Sequence, residues 1–95
     1  MQHLVILRMR PGAAEDRVAA QRKAEVGRVW ELIAADVLRW IHFIPGPGVA
    51  MVLETPDLAA AQAHVRDLPM IREGLAEAEV LPMSPFTGLA ALFAA

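Results

Sequence analysis

The run Pro45-Gly46-Pro47-Gly48 constrains this chain more than any other stretch. Proline lacks a backbone N–H and glycine lacks a side chain, so such a run is a turn rather than part of a helix or strand. It separates two segments rich in β-branched and aromatic residues, VLRWIHFI at 37–44 and VAMVLET at 49–55. Two strands joined by a tight turn make a hairpin. Other breaks divide the rest of the chain. Pro11-Gly12 closes a first strand whose unbroken Leu4-Val5-Ile6-Leu7 run suits burial on both faces. From residue 13 to about 36 the period is helical, with Val18, Arg22, Val26, Val29 or Trp30, and Ile33 on one side. Glu15 and Asp16 fall in its first turn, where the helix dipole favours anions. Thr55-Pro56-Asp57 reads as the start of a second helix, with Thr55 as N-cap. Its buried stripe is Leu58, Ala61, Val65 and Leu68, and it ends near Leu68-Pro69. LAEAEVLP, at 75–82, is the fourth strand.

The order β-α-β-β-α-β predicts an α+β, ferredoxin-like fold, a four-stranded antiparallel sheet with both helices on one face. Residues 1–85 form this domain, and 86–95 are an apolar tail. Two helices leave the other sheet face uncovered. The chain is 56% hydrophobic, above the roughly 45–50% of an ordinary soluble domain. No run approaches the ~18 apolar residues of a membrane helix. The surplus apolar surface therefore predicts a homodimer through the open sheet faces, a dimeric α/β barrel, with the tail packed on the domain or the partner.

Composition sets other classes aside. Eleven acids against nine Lys and Arg give a net charge of −2, with the arginines scattered, so no basic stripe for nucleic acid is expected. There is no cysteine, hence no disulfide framework and no thiolate nucleophile. MQHLVIL lacks the basic flank of a signal peptide, so the expected compartment is the cytoplasm. His3, His42 and His64 show no metal-ligand spacing, and no glycine-rich phosphate loop is present, so neither metal nor cofactor is expected.

Strand alternation picks out candidate site residues. Ala76, Ala78 and Val80 are small and suit the helix-packed face, which turns Glu77, Glu79 and Leu81 to the open one. On the first strand, the reading places Leu4 and Ile6 under the helices and His3, Val5, Leu7 and Met9 on the open face. On the second strand, Trp40 and His42 share one face and Arg39 and Ile41 the other, with either set able to point outward. With Trp40 and His42 outward, an apolar cavity gathers His3, Trp40, His42, Glu77 and Glu79. A desolvated carboxylate beside an imidazole could move protons there. The plainer alternative is that Glu77 and Glu79 are edge-strand charges that oppose aggregation.

The chain also resembles the muconolactone isomerase family of the dimeric α/β-barrel superfamily. The resemblance rests on His3 near the start of the first strand, Pro11 closing it, RKA with Lys23 in the long helix, and LPMIREGLAEAEVLPMSP. That last stretch keeps Leu68-Pro69, Glu77, Leu81 and Pro85 at the family spacing, while Ser84 stands where the family has His. The resemblance implies a cofactor-free enzyme, isomerase-like or oxygenase-like, moving a proton on an apolar lactone or ring. It implies Glu77 and His3 as catalytic residues, while the strand alternation, not the resemblance, offers Trp40, His42 and Glu79 as substrate-binding residues. The alternative is a non-catalytic oligomeric or ligand-binding protein of the same fold.

Overall fold

The computed structural model describes residues 1–95. The order is β1 (Gln2–Met9), α1 (Glu15–Ala34), β2 (Leu38–Ile44), β3 (Gly48–Glu54), α2 (Leu58–Arg66), α3 (Pro69–Arg72) and β4 (Ala76–Pro82), with a 3-10 turn at Gly88–Phe93. The strands form one antiparallel sheet in the order β2-β3-β1-β4. The ferredoxin-like arrangement is therefore present. Beyond the sequence reading, a further helical turn, α3, follows Leu68.

The core lies between the sheet and the helices. Val5 and Leu7 of β1, Met51 and Leu53 of β3, and Ala76 of β4 meet Leu32 of α1 and Ala61 and Val65 of α2. This corrects the expected parity of β1. Its odd residues face the helices, and Leu4 and Ile6 are half-buried on the open face. A strand apolar at four successive positions carries no period-two signal, so packing rather than pattern decides its facing.

Two helix readings also change. The buried side of α1 runs through Val18, Val29 and Leu32, while Val26, Trp30 and Ile33 stay exposed. The expected stripe was rotated because α1 is apolar on two sides. The N-cap of α2 is Asp57, whose carboxylate accepts the Ala60 N–H at 2.8 Å, not Thr55. Asp57 immediately precedes Leu58, where the turns begin, so its side chain reaches the free N–H groups.

Turn geometry holds the hairpin. Gly46 sits at φ +87°, and Gly48 packs so closely that a Cβ there would lie 2.3 Å from the Leu7 carbonyl oxygen. Only glycine lets β3 approach β1 at this point. Arg8 braces the turn by donating to the Pro45 carbonyl at 2.7 Å.

The half-buried Glu25 of α1 accepts the Met70 N–H at 2.9 Å, satisfying a free donor at the start of α3. Burial raises its pKa above the ordinary 4.5, and the Met70 hydrogen bond partly opposes the shift. The folded chain therefore holds this proton more tightly than the unfolded chain. The stability it contributes is fully present below pH 4.5 and is lost as pH rises through the raised value. Glu25→Gln keeps an oxygen for Met70 and removes the titration. The expected result is higher stability at neutral pH and a flatter profile above pH 4.5, read by urea unfolding from pH 4 to 8.

Candidate functional site

β4 behaves as its alternation predicts. Ala78 and Val80 pack toward the core, and Glu77, Glu79 and Leu81 are exposed on the other face. On β2 a bulge falls between Leu38 and Trp40. Leu38 points into the core, whereas Trp40 and His42 follow Val52 and Ala50 to the open face. An extra residue in one strand switches the facing of everything beyond it, which no strict alternation could show. Trp40 and His42 stack edge-on, with ring centroids 5.2 Å apart.

The open face thus gathers four of the five candidates, Trp40, His42, Glu77 and Glu79, but at opposite edges. Three strand spacings of about 4.8 Å leave roughly 14 Å between β2 and β4. Glu77 is 62% exposed and lies 3.9 Å from Arg10 Nη1. With Ile6, Arg8, Ala78 and Glu79 it lines a shallow concavity of about 280 Å³. The expected contact between Glu77 and either His3 or His42 within one chain is therefore absent. His42 is too distant across the sheet, and His3 is on the other face.

His3 is fully buried under the helices. Its Nδ1 lies 3.3 Å from Thr55 Oγ1. Thr55 gives its one hydroxyl hydrogen to the Asp57 carbonyl at 2.7 Å. The oxygen can then only accept from His3, which assigns the Nδ1–H tautomer and leaves Nε2 with a bare lone pair. No group in the chain bonds that Nε2. An unpartnered buried polar atom costs about 1–3 kcal/mol, so an orphan of this kind calls for a reason. The result is an imidazole oriented by a second side chain, with its free nitrogen closed off from solvent.

A concavity of about 630 Å³ opens at this end of the sheet, lined by Met1, Gln2, Glu54, Met83, Ser84 and Pro85. Gln2 and Glu54 alternate with His3 and Thr55 along the chain, so this concavity lies on the other side of the strands from the imidazole and His3 is not part of its lining. The volume falls within the roughly 300–1,000 Å³ of small-molecule sites. The N-terminal ammonium hydrogen-bonds Glu54 and holds its carboxyl below the usual range. Thr55 is the site residue that sequence reasoning missed. The available signal was Asp57, a better cap for a helix starting at Leu58, which frees the Thr55 hydroxyl for another partner.

No family model matches the chain, and no curated protein matches its sequence. Solved structures do. One is 5-chloro-2-hydroxyhydroquinone dehydrochlorinase from Burkholderia phenoliruptrix, in complex with 2,5-dihydroxybenzoquinone. It shares 18% identity at a TM-score of 0.74, over 88% of this chain and 94% of that one. Another is muconolactone isomerase, 16% identical at a TM-score of 0.76, over 92% of each chain. The chain has the muconolactone isomerase fold. At these identities the likeness describes the backbone, and the chemistry must be argued from the side chains. No helix is long and apolar enough to cross a membrane.

Proposed function

We propose that this chain is a small-molecule enzyme that moves a proton on an apolar lactone or oxygenated ring without a cofactor. The observation that carries the reading is the bare, buried Nε2 of His3, oriented through Nδ1 by Thr55. In the proposed step the packing over the buried His3 opens to admit substrate, Nε2 takes a C–H proton next to a carbonyl, and the electron pair moves onto the carbonyl oxygen as an enolate. The imidazolium formed is held by Thr55. The proton returns to another carbon of the same substrate, so the sum is an isomerisation. The names of the two similar proteins, an isomerase of a lactone and a dehydrochlorinase of a hydroxyhydroquinone, support the substrate class. The test incubates the protein in D₂O with small unsaturated lactones and hydroxyquinones. His3-dependent deuterium entry at carbon is the expected result, and no exchange above buffer across the panel would refute it.

A second reading, a non-catalytic oligomer, is favoured by one observation: Glu77 and Glu79 sit exposed on an edge strand, as anti-aggregation charges do. Glu77, expected to be an acid–base residue, is assigned a solubility role in our proposal, with His3 taking the chemistry.

The proposed assembly is a homodimer through the open sheet faces. Four strands about 4.8 Å apart and seven residues at about 3.3 Å give a flat footprint of roughly 450 Å². A standard interface uses about 800 Å² per partner. The tail is proposed to make up the difference. Phe86, Leu89, Leu92 and Phe93 are 62–87% exposed, and the molecule extends 61 Å against 27 and 20 Å because the tail runs off the domain. Deleting residues 86–95 is expected to weaken the dimer at least about tenfold in sedimentation, since burying even two such side chains contributes about 3 kcal/mol or more. An unchanged dimer would remove the tail from the interface.

A further inference from the structure

The side of α1 turned away from the sheet carries an apolar stripe of its own. Val26, Trp30 and Ile33 recur at the spacing of one helix face and are 61%, 65% and 40% exposed. Beside them runs a column of small residues, Ala20, Gly27 and Ala34, all exposed. They are spaced by heptads, which drift only about 20° around a straight helix, so the column holds one line along α1. Gly27 has no packing role inside the chain. A Cβ placed on it would meet nothing within 4 Å. It sits in the interior of α1 without a positive φ, where alanine would make the stronger helix. What glycine permits at such a place is the close approach of another backbone.

α1 is complementary to itself. Laid antiparallel on a second α1 about a two-fold axis through Gly27, residues equally far before and after Gly27 come level. Gly27 then meets Gly27, Ala20 meets Ala34, and Lys23 meets Glu31. The backbones touch at their smallest residues, the apolar side chains of both copies line the seam, and ammonium meets carboxylate. Arg28 holds Glu31 through Oε2, which leaves Oε1 for Lys23. A parallel pairing would set Lys23 on Lys23 and Glu31 on Glu31, like charge on like. The remaining charged groups of α1 lie off the seam or at its ends. Glu25 accepts the Met70 N–H, Arg28 reaches Asp67, and Arg17 donates to the Glu73 carbonyl. Arg22 stays at the rim. Glu15 and Asp16 come level with the stretch beyond Ala34, where Asp36 is paired with Arg39.

We infer that the outward face of α1 binds α1 of a second copy of this chain, antiparallel, with Gly27 at the two-fold axis. The contact is on the helix layer, so it is separate from the sheet-face pairing proposed above and adds its own step of association. A helix of 20 residues is about 30 Å long and about 10 Å wide, a footprint of roughly 300 Å² per copy. A standard interface uses about 800 Å² per partner, so this contact is a weak one that forms at micromolar concentrations and above.

The chain contains no cysteine, so one engineered thiol reports its own neighbour. Gly27→Cys is expected to give a disulfide-linked dimer under mild oxidation at high micromolar concentration. Ala20→Cys, whose counterpart would lie about 21 Å along the seam, is expected to link no faster than random collision allows. Ala20→Cys/Ala34→Cys is expected to link again. Rapid linking of Ala20→Cys alone makes the helices parallel and overturns the inference. So does a Gly27→Cys rate no higher than that of Ala20→Cys. Sedimentation of the intact chain gives a second reading that needs no thiol. Gly27→Gln is expected to raise the urea midpoint, because glutamine is the better helix former. It is also expected to weaken one step of self-association at least about tenfold, as Trp30→Glu should, the scale of losing a packed interface centre. A sheet-face dimer is expected to survive both substitutions. If Gly27→Gln and Trp30→Glu associate as the wild type does, the α1 contact is overturned and the sheet-face pairing is left standing.

Discussion

His3→Leu is expected to abolish deuterium exchange while leaving the fold as stable as the wild type or more so. The two effects arise from one atom. Removing a positioned general base lowers a proton-transfer rate about 10²–10⁴-fold. The same substitution removes a buried nitrogen that no group in the chain bonds. Leaving such an atom unsatisfied costs about 1–3 kcal/mol, and leucine fills a similar space beside Leu53 and Val5 without that penalty. The lost Nδ1 contact offsets part of the gain, although Thr55 keeps its bond to the Asp57 carbonyl. Exchange rate and urea midpoint, measured on the same preparation, separate the possibilities. Lost exchange with retained stability is the signature of a residue kept for chemistry. A variant with full exchange would remove His3 from the mechanism. Thr55→Val supplies a control for orientation: the imidazole stays while its tether goes, so the rate should fall less than in His3→Leu.

Leu53→Ala is expected to destabilise the chain by about 2–5 kcal/mol, the range for emptying a buried leucine site. Leu53 is 1% exposed and is the direct β3 partner of His3 on the helix-facing side. A domain of this size is held by about 5–14 kcal/mol, so the loss is a large share of the whole. Leu53→Met, which nearly conserves volume, should cost less than about 1.5 kcal/mol. Denaturant unfolding of both variants checks the contrast. The alanine variant also opens space beside the imidazole, so any remaining exchange should fall through lost positioning rather than lost base. Equal stability of the two variants would mean that Leu53 does not brace the sheet under His3.

Much of the architecture was legible in the residues. PGPG requires a hairpin, and Pro11-Gly12 and Leu68-Pro69 mark ends that the structure places where they were read. LAEAEV alternates strictly, so the facing of Glu77 and Glu79 followed from spacing alone. The candidate site was less legible. His3 was singled out, but on the wrong face, and so was joined to Glu77 across a sheet that separates them. Thr55 was taken for a helix cap, although its hydroxyl orients the imidazole.

What the sequence determined by itself was local: where elements begin and end, and which side of β4 is charged. These depend on proline, glycine and strict alternation, whose effects reach only a few residues along the chain. What the tertiary structure decided was which side of β1 and β2 faces the helices. Leu4, Val5, Ile6 and Leu7 are all apolar, so either facing buries similar hydrophobic surface, and the choice falls to how Val5 and Leu7 fit against Leu32, Ala61 and Val65. On β2 the choice falls to one bulge near Arg39, set by pairing with β3 rather than by β2 alone. Both decisions depend on packing between elements distant in sequence, and they place His3 beneath the helices and His42 on the open face.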